Sequence, residues 1–206
     1  MKNIYIYITF LFILSTSCGK TVYNSRAQGH IIDATTGQPI AGAWVELTRE
    51  KTAFLGRTTI ETEAKTLTKE DGSFVIDYRR SRGWNYVVYS GKQDYFFSPS
   101  SEQESLDFIG NKNLQIKLFP KAELVFDIRN TKGGSGVSFR VGHTRNNQTT
   151  SSTGQGTFQL FQIEVEGNKQ IDVSYLITLL PNGKKFEIDT SIYCPAFEST
   201  TLRINY

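Results

Sequence analysis

Apolar and polar residues alternate along most of this chain, and clusters of Gly, Asn, Asp and Pro separate the alternating segments. Successive side chains of a β-strand point to opposite faces, so this alternation predicts half-buried strands. In residues 42–48 it places Ala43, Val45 and Leu47 on one face and Trp44 on the other. Beyond the N-terminal apolar run no segment keeps an apolar period of 3.6, so we expect no helix longer than a turn or two.

The same pattern predicts strands up to the C-terminus. The residues predicted to share inner faces are Phe74, Ile76 and Tyr78; Leu114, Ile116 and Leu118; Leu124, Phe126 and Ile128; Ile171, Val173, Tyr175, Ile177 and Leu179; and Leu202, Ile204 and Tyr206. In residues 157–166 the apolar positions change parity, which predicts a β-bulge or a bend. The turn at residues 69–72 is predicted to close a tight hairpin, because Gly72 reaches positive φ without steric cost.

The alternation restarts after Pro120, which predicts an all-β chain of two consecutive β-sandwich domains, residues 28–120 and residues 121–206. Residues 49–64 are polar and are interpreted as a long connection. We recognise no family for the second domain.

Two motifs in the first domain carry a family resemblance. They are Thr36-Gly37-Gln38-Pro39-Ile40 followed by Gly42-Ala43, and Asp71-Gly72-Ser73-Phe74. Together they resemble the carboxypeptidase regulatory-like domain, a transthyretin-like (prealbumin-like) sandwich of surface and periplasmic proteins in the Bacteroidetes. The resemblance covers about residues 27–120 and implies a fold, since the motif residues make turns and core. The peptidase activity of the family name belongs to a separate domain with a His-x-x-Glu motif, which this sequence lacks.

The N-terminus has the layout of an export signal. Lys2 precedes a largely apolar run, Ile4 to Leu14, which is too short to span a bilayer as a mature helix. Small residues then precede Cys18, and this order resembles a bacterial lipoprotein signal, which implies a signal peptide at residues 1–17 and lipid on Cys18. The alternative is ordinary secretion with an incidental cysteine.

An anchored product implies a location in the cell envelope, with the membrane as a partner through the lipid. Residues 18–27 are polar and are interpreted as a lipidated tether. Surface-exposed lipoproteins of the resembled group often carry acidic residues after the cysteine, and residues 19–22 have none. This favours the periplasmic face of the outer membrane, although the surface leaflet stays open.

Composition argues against several classes of function. The 23 Lys and Arg nearly balance the 20 Asp and Glu, giving a net charge of +3, so we expect no nucleic-acid partner. The two histidines, His30 and His143, lie in different predicted domains without ligands at suitable spacing, so we predict no metal site and no cofactor. No Gly-x-Ser-x-Gly motif is present, no catalytic residue is predicted, and an enzyme is the least favoured class. Cys194 is expected to be a small buried apolar residue.

Binding is the favoured class, and aromatic residues are its candidates. Trp44 faces away from its apolar neighbours, and Tyr95, Phe96 and Phe97 are consecutive, so they cannot all face one core. One hypothesis is a non-catalytic binding or accessory lipoprotein for a glycan or an envelope protein. The other is a structural spacer without a recognition surface, in which these aromatics are covered or belong to the core.

Overall fold

The computed structural model describes residues 22–52, 56–96, 104–106, 113–131, 135–141, 149–153, 158–179 and 183–205. Every regular element in these ranges is a strand, which confirms the all-β prediction. The first seven are β1 (Val22–Asp33), β2 (Trp44–Thr52), β3 (Thr58–Leu67), β4 (Ser73–Ser81), β5 (Asn85–Gly91), β6 (Tyr95–Phe96) and β7 (Glu104–Ser105). The next seven are β8 (Leu114–Arg129), β9 (Ser135–Val141), β10 (Thr149–Thr153), β11 (Phe158–Glu166), β12 (Lys169–Leu179), β13 (Lys184–Cys194) and β14 (Ser199–Asn205). In the described ranges no helix is long and apolar enough to cross a bilayer.

The strands form three sheets. The largest has the order β11-β8-β1-β4, with β6 and β14 also paired to β8. The other two have the orders β3-β2-β5-β7 and β10-β9-β12-β13. β8 is parallel to β1 and to β14, and antiparallel to β11.

Two separate clusters of buried side chains lie between these sheets. The first joins β1, β4 and the start of β8 to β2 and β5, and its fully buried members include Ile31, Leu47 and Leu118. The second joins the end of β8, β11 and β14 to β12 and β13, and includes Phe126 and Ile171. Burying a large apolar side chain contributes roughly 1.5–3 kcal/mol, so each cluster is a substantial source of stability.

β8 runs through both clusters as one strand of 16 residues. Its first part, from Leu114 to Leu118, pairs with β1, and its second part, from Lys121 to Arg129, pairs with β11. Pro120 lies between the two parts and pairs with Tyr95 of β6. A proline cannot donate to a β ladder, and here it lies where β8 changes partners.

Two segments interpreted as irregular are strands. Residues 22–27 of the predicted tether belong to β1, where Val22 to Ala27 pair with Ser81 to Ile76 of β4. Most of the predicted connection at residues 49–64 also belongs to β2 and β3. These segments lack a clear apolar face because β3 is an edge strand with exposed residues on both sides, and because β1 begins with exposed residues.

One local prediction was wrong and another was confirmed only at the turn itself. The turn at residues 69–72 is tight, with Gly72 at φ 73°, and the Gly72 amide donates to the Lys69 carbonyl at 3.0 Å while the Lys69 amide donates to the Ser73 carbonyl at 2.9 Å. Beyond these bonds the two strands part, because β3 pairs with β2 and β4 pairs with β1. β11 pairs with β8 without a register shift, and the change of parity arises because Leu160 simply faces solvent, 58% exposed. The irregularity lies instead between β2 and β3, at Leu47 and Thr48.

Candidate binding surface

The side chain of Trp44 points away from the first core, as its alternation with Ala43 and Val45 predicts. Those two neighbours are completely buried, whereas Trp44 is 36% exposed. A β-strand turns successive side chains to opposite faces, so burying the first two directs the indole outward. The local sequence sets the outward direction of the indole, but the pairing of β2 with its neighbouring strands decides which residues lie around it.

Trp44 lies opposite two residues that sequence patterning did not connect with it. Leu67 of β3 is its partner on one side and is 63% exposed. Gly91 of β5 is its partner on the other side; it is buried and, as a glycine, adds no side chain to this face. Directly opposed residues of an antiparallel pair point to the same face, so Trp44 and Leu67 together form an apolar patch. Leu67 was missed because it stands in a polar stretch and only the β2–β3 register brings it to Trp44.

Charged side chains border this patch along β2 and β3. Glu46 accepts a hydrogen bond from the Thr62 hydroxyl at 2.5 Å and forms an ion pair with Lys65 at 3.1 Å. The Thr62 hydrogen bond is the main cause that lowers the pKa of Glu46 below its ordinary value, and Lys65 adds to it. Glu46 is therefore an ionised carboxylate, held in place by Thr62 and Lys65, with acceptor sites left for a polar ligand and little tendency to accept a proton. We call the outward side chains of Trp44, Leu67, Glu46 and Lys65 the Trp44 face.

Tyr95, a second predicted binding residue, is engaged in structural contacts. Its hydroxyl donates to Asp33 Oδ2 at 3.1 Å, and its ring packs edge-on against Phe197, with centroids 5.4 Å apart. Burial and the neighbouring carboxylate raise the pKa of Tyr95 to about 12, so the phenol stays protonated and keeps donating. Since Tyr95 also packs against the first core and Phe197 follows β13, this residue links the two halves of the molecule.

Two more aromatic rings are in contact with cations. The ammonium of Lys121 lies 5.3 Å from the ring centroid of Phe96, and the guanidinium of Arg49 lies 4.7 Å from that of Trp84. Cations attract the negative faces of aromatic rings, so both pairs are stabilising. These contacts favour structural roles for Phe96 and Trp84.

The remaining predicted site residues, Cys18 and Phe97, lie outside the described residues. Within the described ranges, no three His, Cys, Asp or Glu side chains are grouped so that they could hold a metal ion. Cys194 is completely buried, as expected, and burial raises the pKa of its thiol.

Comparison with known proteins gives no family. No family model matches the chain, and no curated protein matches it significantly. Among solved structures it is similar to the shaft pilin SpaA of Lactobacillus rhamnosus GG, at 12% identity and a TM-score of 0.35, over 90% of this chain and 98% of that one. It is also similar to the minor pilin GBS52 of Streptococcus agalactiae, at 11% identity and a TM-score of 0.36, over 88% of this chain and 94% of that one. A streptococcal ancillary pilin matches at 9% identity and a TM-score of 0.37, over 88% of this chain and 62% of that one. Likeness at this level carries no functional argument.

Proposed function

We propose that this chain is a non-catalytic module of the bacterial cell envelope, anchored through lipid on Cys18, that binds a glycan or an envelope protein on the Trp44 face. The observation that carries the proposal is the exposed pair of Trp44 and Leu67 on the outward face of β2 and β3. Val45 and Leu47, on the other face of β2, are completely buried. Contiguous exposed apolar patches with a polar rim mark binding surfaces, whereas single exposed apolar side chains do not.

The composition of the Trp44 face favours a glycan over a protein. An indole presents a flat apolar surface on which the C–H groups of a sugar ring can stack, and Glu46 and Lys65 stand beside it as hydrogen-bonding groups. The patch holds only two large apolar residues, whereas stable protein interfaces bury about 800 Å² on each partner. A protein partner is therefore the second choice.

The spacer hypothesis keeps one observation in its favour. β8 passes through both cores without interruption, and contacts such as that of Tyr95 with Phe197 join the two halves. A chain built in this way holds its far end at a fixed distance from an anchor, which is compatible with a binding surface at the same time. The boundary between residues 28–120 and residues 121–206 is part of this proposal, as is the transthyretin-like assignment of the first part.

Binding is tested with an array of defined oligosaccharides and purified envelope polysaccharides, using the wild-type chain and the Trp44→Ala and Leu67→Ala variants. We expect each variant to lose at least tenfold in affinity for the glycan that the wild type binds, with little change in thermal unfolding. Ile60→Ala is the matched control, because Ile60 is an equally exposed apolar residue of β3, at 59%, and lies outside the Trp44 face.

Three results would contradict the proposal. Equal binding by Trp44→Ala and wild type would remove the Trp44 face from recognition, and loss of stability in that variant would make Trp44 a packing residue. Mass spectrometry of the native protein that finds no acyl chain on Cys18 would remove the anchor. Protease treatment of intact cells then distinguishes the surface leaflet, where the chain is cut, from the periplasmic one, where it is protected.

A further inference from the structure

β13 has an open edge. It is the last strand of the sheet β10-β9-β12-β13, and within the described part of the chain it pairs only with β12. That pairing covers all 11 residues from Lys184 to Cys194 without a register shift. An edge strand presents a row of unpaired N–H and C=O groups that can accept another strand.

Two other edge strands, β3 and β10, are protected in ways that β13 is not. β3 carries a register irregularity against β2, opposite Leu47 and Thr48, and β10 has only five residues. Bulges and shortness are the usual means of preventing edge-to-edge pairing. β13 is long and regular and contains neither proline nor glycine.

The exposed part of β13 is its first half. The six residues from Lys184 to Asp189 are all exposed on both faces, while Ile192 packs against the second core and Cys194 is buried in it. Phe186 and Ile188 lie on the same face of the strand as these two core residues, and are 39% and 37% exposed. The apolar face of the sheet therefore continues past the core to the open edge.

The charges of this half are complementary to a second copy in one register. In an antiparallel pair of β13 strands in which Phe186 meets Phe186 of the copy, Lys185 lies opposite Glu187 of the copy, and each pair occurs twice. Moving the two-fold axis of the pair to residue 185 would oppose Lys185 to itself. Moving it to residue 187 would oppose Lys185 to Asp189 twice, but it would also oppose Glu187 to itself. Moving it to residue 188 would oppose Glu187 to Asp189. Like charges directly opposite each other destabilise a sheet, whereas opposite charges stabilise it.

Registers in which the centre of the strand pair falls between two residues are also disfavoured. Directly opposed residues of an antiparallel pair share one face, so such a register would place Phe186 of one copy beside a charged residue of the other. The register centred on Phe186 keeps Phe186 and Ile188 of both copies on one face, where the Lys184 ammonium lies 4.9 Å from the Phe186 ring centroid. It places Lys185 and Glu187 on the other face.

We propose that β13 is a self-association edge, through which two copies of this chain pair antiparallel about Phe186 and join their sheets into one. Five residues of each strand, from Lys184 to Ile188, take part. This is a small interface, of the kind that weak and transient complexes use. A pair of chains presents two Trp44 faces and so binds a repetitive ligand more tightly than one chain does.

Cysteine cross-linking of the full chain tests the register. Opposed Cα atoms of antiparallel strands are about 4.5–5.5 Å apart, within the range that a disulfide spans. Only residue 186 meets its own copy, so Phe186→Cys should give a covalent dimer under mild oxidation that reductant dissolves. Glu187→Cys and Ile188→Cys should give less than a tenth of that yield, and the parent chain shows the background from Cys18 and Cys194.

Charge exchange tests the pairing independently in the Phe186→Cys chain. Lys185→Glu and Glu187→Lys each place like charges opposite one another, and each should lower the dimer yield at least fivefold. The double variant Lys185→Glu/Glu187→Lys restores opposite charges and should restore the yield. Lys69→Glu, the same change at an exposed turn residue far from β13 in sequence, should leave it unchanged.

The outcomes are decisive in both directions. Dimer at position 186 alone, with rescue by charge exchange, supports the proposal. Equal yields at 186, 187 and 188 would indicate random collision, a dimer at 187 alone would contradict the register, and no dimer at any position would contradict self-association. Thermal unfolding of each variant confirms that the chain is folded, and Ile188→Cys, on the same strand, shows whether a cysteine there is tolerated.

Discussion

Gly72 is constrained both by its backbone conformation and by its neighbours. Its φ is 73°, and a Cβ built on it would lie 2.6 Å from the carbonyl oxygen of Ile31. That oxygen cannot retreat easily, because it also accepts a hydrogen bond from the amide of Ile40 at 2.9 Å. Both the backbone conformation and the lack of space therefore require glycine at this position.

Replacing Gly72 by alanine should cost clearly more stability than the same change at Gly37. Gly37 has a φ of 72°, but nothing lies within 4 Å of the position that a methyl group would take, so only the backbone strain of about 1 kcal/mol applies there. We expect Gly72→Ala to lose about 2–4 kcal/mol, as the strain and the steric clash add. Urea unfolding of both variants measures the difference, and equal losses would mean that the turn moves to accommodate the methyl group.

Asp33 is a buried carboxylate whose ionisation is coupled to folding. Burial alone would raise its pKa, but hydrogen bonds from Thr35, Thr36 and Tyr95 outweigh burial and hold the pKa below the ordinary 3.8. Because the pKa is lower in the folded chain than in the unfolded one, the charged form stabilises the fold above the unfolded pKa. This contribution is lost as the pH falls through the folded pKa.

Wild-type stability should therefore fall between about pH 5 and pH 2, and Asp33→Asn should reduce the part of this fall that Asp33 causes. The variant should also lose about 1–3 kcal/mol at pH 7, where the wild-type carboxylate accepts its hydrogen bonds. Asp77→Asn is the exposed comparison: Arg26 lowers the pKa of Asp77 as well, but the Asp77 side chain is 67% exposed, so solvent screening should leave a smaller change in the acid profile. Equal acid profiles for wild type and Asp33→Asn would contradict the coupling.

At the scale of secondary-structure elements, the alternating segments were predicted and the polar ones were missed. β2 was recognised because Ala43, Val45 and Leu47 share one buried face, a signal that needs only the period of a strand. β3 was interpreted as connection because seven of its ten residues are exposed and none is fully buried, so the strand does not require apolar side chains. β3 is held by its backbone pairing with β2 along its whole length, and cross-strand pairs such as Arg49 with Glu61, at 2.5 Å, add a smaller contribution.

Sequence patterning also does not show which strands pair. An Asp-Gly turn specifies the reversal at Gly72 but not the sheet that the next strand joins. β4 joins β1, which lies about fifty residues earlier in the chain, and the pairing of Arg26 with Asp77 illustrates that separation. Patterning reflects neighbours along the chain, and such partners are set by the packing of whole sheets.

At the scale of the whole molecule, the two cores are held together by more than the continuous β8. Asn168, at a φ of 55°, donates from Nδ2 to the Thr35 hydroxyl at 3.0 Å and accepts the Ala196 amide at 3.0 Å. Phe197, at a φ of 64°, packs on Tyr95. Residues other than glycine are strained in this conformation, and two of the four such residues in the described ranges, Asn168 and Phe197, bridge the two halves.

We expect the two cores to tumble as one body in solution, with a single rotational correlation time from backbone ¹⁵N relaxation. The double variant Asn168→Gly/Phe197→Gly removes both bridging side chains at positions where glycine relieves strain, so the two cores should then show different correlation times. Asn113→Gly, at a φ of 69°, is the matched control and should behave as the wild type. Independent tumbling of the wild-type cores would contradict a rigid joint.

By itself the sequence determined the all-β class, the outward direction of Trp44, the burial of Cys194 and the turn at Gly72, since each depends on residues close together in the chain. Only the tertiary structure decided which strands pair, that Leu67 lies beside Trp44, that Tyr95 contacts Asp33 and Phe197, and that β13 pairs on one side only among the residues the structure describes. These features depend on contacts between distant segments, and the register that creates them follows from the packing of complete sheets.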